Sequence, residues 1–330
     1  MEALEVGAES RRPLADLVRR IWQDYSILVV FVAIVAACGL VTRGRFLELG
    51  NVSAVLTNAS VVGIIALGMT FVIIGGGIDL SSGPVLATSA AALVQLMRMT
   101  GADGTPLVPM PVAVLACIAV AVIFGYANGM LITKAMLPPF IVTLAVGIIA
   151  RSLVMYFCRG ATISVERFSS VLGFGRLYFI PYPFLILLVL AIAFHVLLTR
   201  TKFGSYVFAV GGNENAARYS GIKVDRIRIA TYMLVGFCTG IGAIIEVSRM
   251  QAVAAATQGF LYEFEAIIAV VAGGTSLAGG RGRMVGTVVG CVILGIVSNM
   301  MIMMDISPYL RDAVKGSIIL FAVLLQRRER

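Results

Sequence analysis

Residues Glu265–Gly290 read EAIIAVVAGGTSLAGGRGRMVGTVVG. Almost every position is apolar or small, yet Gly273, Gly274, Gly279, Gly280 and Gly282 interrupt it, with Arg281 and Arg283 between them. In the interior of a water-soluble helix each glycine costs about 1 kcal/mol against alanine, so a soluble core would not carry so many. A membrane bundle uses them: small residues let helix backbones approach, and broken helices open polar pathways. A partner element lies in the first third of the chain, at Gly75–Thr88, reading GGGIDLSSGPVLAT. Both elements follow one apolar helix and precede another, which points to a transport path and not to a simple anchor. In the topology drawn below the two arriving helices run the same way, which favours a parallel over an inverted repeat.

Composition agrees. Hydrophobic residues make up 59% of the chain and charged residues 13%, about half the charged share of a soluble domain. The mean hydropathy is +0.98. A net charge of +9 raises nucleic acid as a partner, but in a polytopic protein basic residues serve to orient loops, so nucleic acid is rejected. With His195 the only histidine, a His-based zinc cluster or HExxH site is excluded. Cys38, Cys117, Cys158, Cys238 and Cys291 lack CxxC spacing and read as small buried hydrophobes. Val35-Ala36-Ala37-Cys38 resembles a lipoprotein cleavage box but sits inside the first apolar run.

The expected fold is an all-α membrane protein, a polytopic bundle of about ten transmembrane helices, some broken or short. The runs are Ser26–Val41, Val55–Ile74, Pro84–Leu96, Val112–Ile132, Phe140–Phe157, Phe184–Leu198, Ile229–Val247, Ala266–Leu277, Met284–Met304 and Gly316–Leu325. The third, eighth and tenth are short against the roughly 20 residues a bilayer needs. With the N-terminus inside, sixteen of the 26 Lys and Arg fall in inside segments, nine outside and Arg151 within a span. That bias puts both termini in the cytoplasm. Residues 1–25 and 326–330 are then cytoplasmic tails and 26–325 the transmembrane domain.

The longest inside loop is 200–228. Its centre, GGNENAARYSGI, predicts a short helix: Asn213 as N-cap, Glu214 in the first turn, Ala216 and Ala217 as helix formers, Gly221 as left-handed terminator. It reads either as a solvated positive-inside loop or as a helix that docks on a cytosolic motor. GxxxG pairs Gly125/Gly129, Gly236/Gly240 and Gly282/Gly286/Gly290 mark candidate helix contacts.

At this point the chain resembles the ribose-type sugar permeases of bacterial ABC importers. The matching stretches are Ala66–Ala87, Phe208–Ile222, Glu265–Met300 and Ser307–Leu325, in unbroken order from about residue 50. The resemblance implies a subunit that dimerises in the inner membrane and works with a cytoplasmic ATPase and a periplasmic sugar-binding protein. ATP and magnesium would sit on the ATPase, with no cofactor in this chain. The ATPase-docking element would be Gly211, Gly212, Asn213, Glu214, Ala216, Ala217, Arg218 and Gly221. Many relatives are more polar, with a proline, where this chain has QAVAAATQG (Gln251–Gly259), and Arg98–Met110 is longer than usual. Both lie on the expected outer side, where they bear on which binding protein, and so which sugar, is served.

Ionisable groups at membrane depth are costly and usually functional. Asp79, Ser81 and Ser82 are read either as caps of a half-helix or as lining of the path. Asn128, Glu246 and Asn299 complete the candidate path; Arg151 and Glu246 form an ion pair or each snorkel. A sugar is a neutral polyol, so a weak, hydroxyl-tolerant route is expected and not a stringent pocket. The chain has no GxxxxGK[ST] loop and binds no ATP that way; Gly280–Gly286 has GxGxxxG spacing with no preceding strand. A self-sufficient secondary transporter or channel would need coupling carboxylates, for which only Asp79 and Glu246 qualify. An intramembrane enzyme is disfavoured by the dispersed aspartates. A permease for a branched-chain amino acid or a sugar-like signal stays open beside the sugar reading.

Overall fold

The computed structural model describes residues 29, 31–101, 105–165, 168–307 and 310–317. The chain is mostly helical: α1 (Phe31–Val41), α2 (Leu49–Ile74), α3 (Ser82–Arg98), α4 (Met110–Lys134), α5 (Pro139–Phe157), α6 (Val171–Phe174), α7 (Tyr182–Arg200), α8 (Lys202–Gly212), α9 (Glu214–Tyr219), α10 (Val224–Met250), α11 (Tyr262–Ala272), α12 (Met284–Met303) and α13 (310–317). Six of these, α2, α4, α5, α7, α10 and α12, are long and apolar enough to cross a membrane. The remaining expected runs coincide with shorter helices, and most of the last one, Gly316–Leu325, lies outside the described residues. The all-α expectation needs one addition: two small antiparallel ribbons. One pairs β1 (Thr162–Ser164) with β4 (Ala252–Ala254); the other pairs β2 (Arg176–Leu177) with β3 (Ile180–Pro181).

The core is built around α2. From Ala59 to Ile74 every residue of it is buried, which suits a helix apolar on all sides. Helices α4, α5 and α7 are equally apolar but present Leu115, Ile123, Ile148, Val189 and Ile192 outward. A patch of that extent is untenable in water and natural against lipid tails.

Glycines set which helices touch. Gly125 and Gly129 of α4 lie against Tyr232, Met233 and Ile229 of α10, while Gly236 and Gly240 of α10 lie against Ala121, Val122 and Ile118 of α4. Rising numbers on one helix meet falling numbers on the other, so the pair is antiparallel and zipped by both GxxxG motifs. Gly286 and Gly290 do the same for α12 against Gly273 and Ala269. By contrast α3 and α5 run parallel: Gly147 faces Leu80 and Ser81, Thr88 Oγ1 donates to Ala150 O at 2.7 Å, and Gln95 Nε2 donates to Phe157 O at 2.9 Å. Every one of these directions matches strict alternation of the expected spans. Cys38, the end of the lipoprotein-like box, sits in α1 and packs with Phe46, Val55 and Ile296. All five cysteines are free and buried.

The two glycine breaks differ in plan. After the first, the full-length α2 is followed by an extended segment and the short α3. At the second, the short α11 precedes the full-length α12. Helices α2 and α11 share a direction, as a parallel repeat requires, but long and short members are exchanged, so the likeness is confined to the breaks themselves.

Candidate permeation site and docking element

Two features converge on function, one at an end of the bundle and one at mid-depth. At the end, three glycine segments meet. Gly280 N–H donates to Ile74 O at 2.8 Å. A Cβ on Gly211 would collide with that same carbonyl and with Gly280 N, and one on Gly279 would meet Gly76 Cα at 3.1 Å. Gly76, Gly279 and Gly280 all have φ between +70° and +84°, a region glycine enters without steric penalty. The last turn of α8 is therefore locked, backbone on backbone, to both breaks.

Beyond that lock the chain forms a hook. Asn213 Oδ1 accepts from Ala216 N–H at 3.0 Å and so caps α9. Gly221 ends the turn at φ +80°. Ala217 packs inward with Val210 and Val224. Glu214 is bound on both carboxylate oxygens by Arg228, at 3.3 and 2.7 Å, and by Arg218 at 3.0 Å. Arg218 also reaches Asp225 at 3.0 Å, which Lys134 holds at 3.2 Å. The hydrogen bond to Glu214, then that to Asp225, raises the Arg218 guanidinium further above its already high pKa. Of the eight docking candidates, Ala217 and Glu214 thus brace the hook, Gly211 locks it, and Gly212, Asn213, Ala216, Arg218 and Gly221 are exposed. Sequence reasoning passed over Tyr219, which is 93% exposed at the tip. The available signal was an aromatic side chain in a polar, basic loop.

At mid-depth two short helices begin side by side. Since Gly147, eight residues into α5, faces the start of α3, α3 begins about 12 Å along α5, near the middle of a bilayer about 30 Å thick. From the opposite side, the loop 251–261 dips in until Gly259 and Gly83 are in mutual backbone contact: a Cβ on either would strike the other's carbonyl. Helix α11 then starts at Tyr262. Two positive helix ends therefore face one small volume.

The candidate path residues divide there. Asp79 Oδ1 accepts from Ser81 N–H at 2.7 Å and from Ser81 Oγ at 2.6 Å. Asn128 Nδ2 donates to Ser81 Oγ at 2.8 Å. Ser82 adjoins them, so Asp79, Ser81, Ser82 and Asn128 form one buried cluster before and at the start of α3. Beside it, Tyr232 Oη donates to Ile78 O at 3.1 Å. Glu246 stands apart, accepting from Gln258 Nε2 at 3.1 Å and Tyr262 Oη at 3.0 Å. It staples the dipping loop to α11. The ion pair considered for Arg151 and Glu246 does not form: Arg151 Nη1 donates to Ala255 O at 3.0 Å. Both side chains instead grip the same loop, which hydropathy cannot show. Asn299 lies at the far end of α2, donating to Asn51 Oδ1 at 2.9 Å. Its contact is between helices and remote from the cluster.

Glu263 was overlooked in the sequence because it precedes the apolar run that begins at Ala266. It is 8% exposed, and its carboxyl leans on Gly83. Ser82 Oγ and Asn128 Oδ1 have no hydrogen-bonding partner among the described residues, and the Glu263 carboxyl faces only the main chain of Gly83. Each unpartnered buried atom costs about 1–3 kcal/mol.

Lipid-facing helices around α2, and two half-helices meeting over buried polar groups, define a membrane permease. Comparison with known proteins is specific: residues 51–323 match the model of the branched-chain amino acid transport system / permease component family, and the chain belongs to that family. It is a transporter subunit and not an enzyme. It is 40% identical to the ribose import permease protein RbsC of Bacillus subtilis (strain 168), over 100% of this chain and 99% of that one. Identity to RbsC of Escherichia coli (strain K12) is 36%, covering 92% of each. The D-allose transport system permease protein AlsC of the same strain is 32% identical over 93% of this chain and 92% of its own. No solved structure matches the chain.

Proposed function

We propose that this chain is the transmembrane subunit of an ATP-driven importer for a monosaccharide, a ribose-like pentose, a hexose or a related polyol, in the bacterial inner membrane. The full-length similarity to ribose and allose permeases favours a sugar over the branched-chain amino acid of the family's title. Ten spans with both termini in the cytoplasm fit the helix directions, with α8 and α9 on the cytoplasmic side. A second copy of the permease, a cytoplasmic ATPase carrying ATP and magnesium, and a periplasmic binding protein complete the machine. Asp79, Ser81, Ser82 and Asn128 line the sugar's route, and Glu246 shapes it.

The observation that carries this reading is the glycine lock. Gly211 touches Ile74 and Gly280 with main chain alone, so a push on α9 reaches α2 and the α11–α12 break with no flexible side chain between. The exposed surface of the hook, Gly212, Ala216 and Tyr219, would enter a groove of the ATPase, with Tyr219 as its aromatic anchor. The test uses the permease, its ATPase and its binding protein reconstituted in liposomes. Gly212→Trp and Tyr219→Ala should leave insertion and dimer assembly intact while abolishing sugar uptake and sugar-stimulated ATP hydrolysis. Normal uptake by both variants would overturn the docking role. Sugar accumulation by liposomes holding this chain alone would favour a self-sufficient transporter instead.

A further inference from the structure

Two of the buried unpartnered polar atoms, Ser82 Oγ and Asn128 Oδ1, and the carboxyl of Glu263 belong to the one crossing of α3 and α11. Asn128 grips Ser81 through Nδ2 and leaves Oδ1 free. Ser82 is next in sequence, 1% exposed, with Oγ free. Glu263 Oε2 comes from the other half-helix to lie against Gly83. One hydroxyl that can donate or accept, one amide carbonyl and one carboxyl oxygen are thus presented together where α3 and α11 begin. Their chemistry selects a ligand class. Two helix N-termini disfavour a cation, and Glu263 with nearby Asp79 disfavours an anion. Acceptors grouped in this way are complemented by the hydroxyls of a neutral solute. The loop 251–261, which shuts the crossing, holds Gln251 at φ +51° and Leu261 at φ +63°, conformations that non-glycine residues seldom keep without outside support. Within and beside that loop, Arg151 holds Ala255 O, and Glu246 holds Gln258 and Tyr262.

We propose that this is a sugar subsite held shut. When Gly259 withdraws from Gly83, Ser82 Oγ, Asn128 Oδ1 and Glu263 Oε2 receive the hydroxyls of a passing monosaccharide. The proposal rests on the sugar-importer reading and adds Glu263 to the residues that touch the solute.

The experiment uses the complete complex in liposomes with ribose as probe. A Ser82→Cys permease is treated with a small methanethiosulfonate reagent, against the parent chain as blank for its five buried cysteines. Labelling should be at least about tenfold faster during ATP turnover than at rest, and ribose-loaded binding protein should slow it. Glu263→Gln and Asn128→Ala should each lower transport efficiency for ribose by about three- to tenfold, as expected for one lost hydrogen bond, with ATP hydrolysis retained. An S82C thiol that stays unreactive in every nucleotide state overturns the proposal, even if the other variants fail to assemble. So does wild-type transport efficiency in both E263Q and N128A. A parent complex that accumulates no pentose or hexose defeats the sugar reading and the ligand class with it, while S82C labelling still decides whether the crossing opens.

Discussion

Gly211 and Gly212 are neighbours that tolerate opposite things. A methyl group on Gly211 would enter the space of Ile74 O, whereas a Cβ on Gly212 meets nothing within 4 Å. Gly211→Ala is therefore expected to destabilise the folded permease and Gly212→Ala to leave it unchanged, as detergent-solubilised melting curves would show. Asn213 offers a milder perturbation: Asn213→Ala should cost about 1 kcal/mol of local stability, read as faster amide exchange at Ala216 and Ala217. What sequence alone revealed at this level was local chemistry. The Asn213 cap and the left-handed Gly221 follow from side-chain reach and backbone sterics within a few residues, and both stand in the structure as read. Glu263 and the partners of Arg151 and Asn299 were not legible, because each depends on a chain segment 50 or more residues away or on a loop that leaves the expected surface.

Among the helices, α4 and α10 form the most intimate pair, with glycine on both sides of the seam. Gly236→Leu would drive a branched side chain into the Ala121 carbonyl. Loss of monodisperse protein in size-exclusion chromatography is the expected outcome, while Gly50→Leu, where a Cβ meets nothing within 4 Å, should behave as wild type. A second contact, between Thr70 and Thr287 hydroxyls at 2.8 Å, ties α2 to α12. Thr287→Val should cost about 1 kcal/mol, since Thr70 keeps its bond to Ala66 O. The GxxxG seams were visible in sequence as spacing, but spacing does not name the partner helix. Nor did hydropathy distinguish α2, whose most apolar window is 89% buried, from α4, at 22%: both are apolar all round, and only packing separates a central helix from a lipid-facing one.

Taken whole, the bundle has two chemically distinct ends. The glycine lock and hook occupy one. The β1–β4 ribbon and the β2–β3 turn, with Tyr178 94% exposed, occupy the other. A Ser220→Cys permease in sealed vesicles should react with an impermeant thiol reagent only from the cytoplasmic face, and Tyr178→Cys only from the periplasmic face. Reversal of either would invert the molecule and remove the hook from reach of any cytoplasmic motor. The lock has a corollary for how such machines diversify. A joint made of main-chain atoms asks only that position 211 carry no side chain, so the exposed positions Gly212, Ala216 and Tyr219 are free to change toward the proposed ATPase while that joint stays intact. If the hook docks as proposed, exchanging 202–228 between distant relatives should transplant preference for the ATPase, because that span carries Gly211 together with Val224, Asp225 and Arg228, which hold Ala217, Arg218 and Glu214.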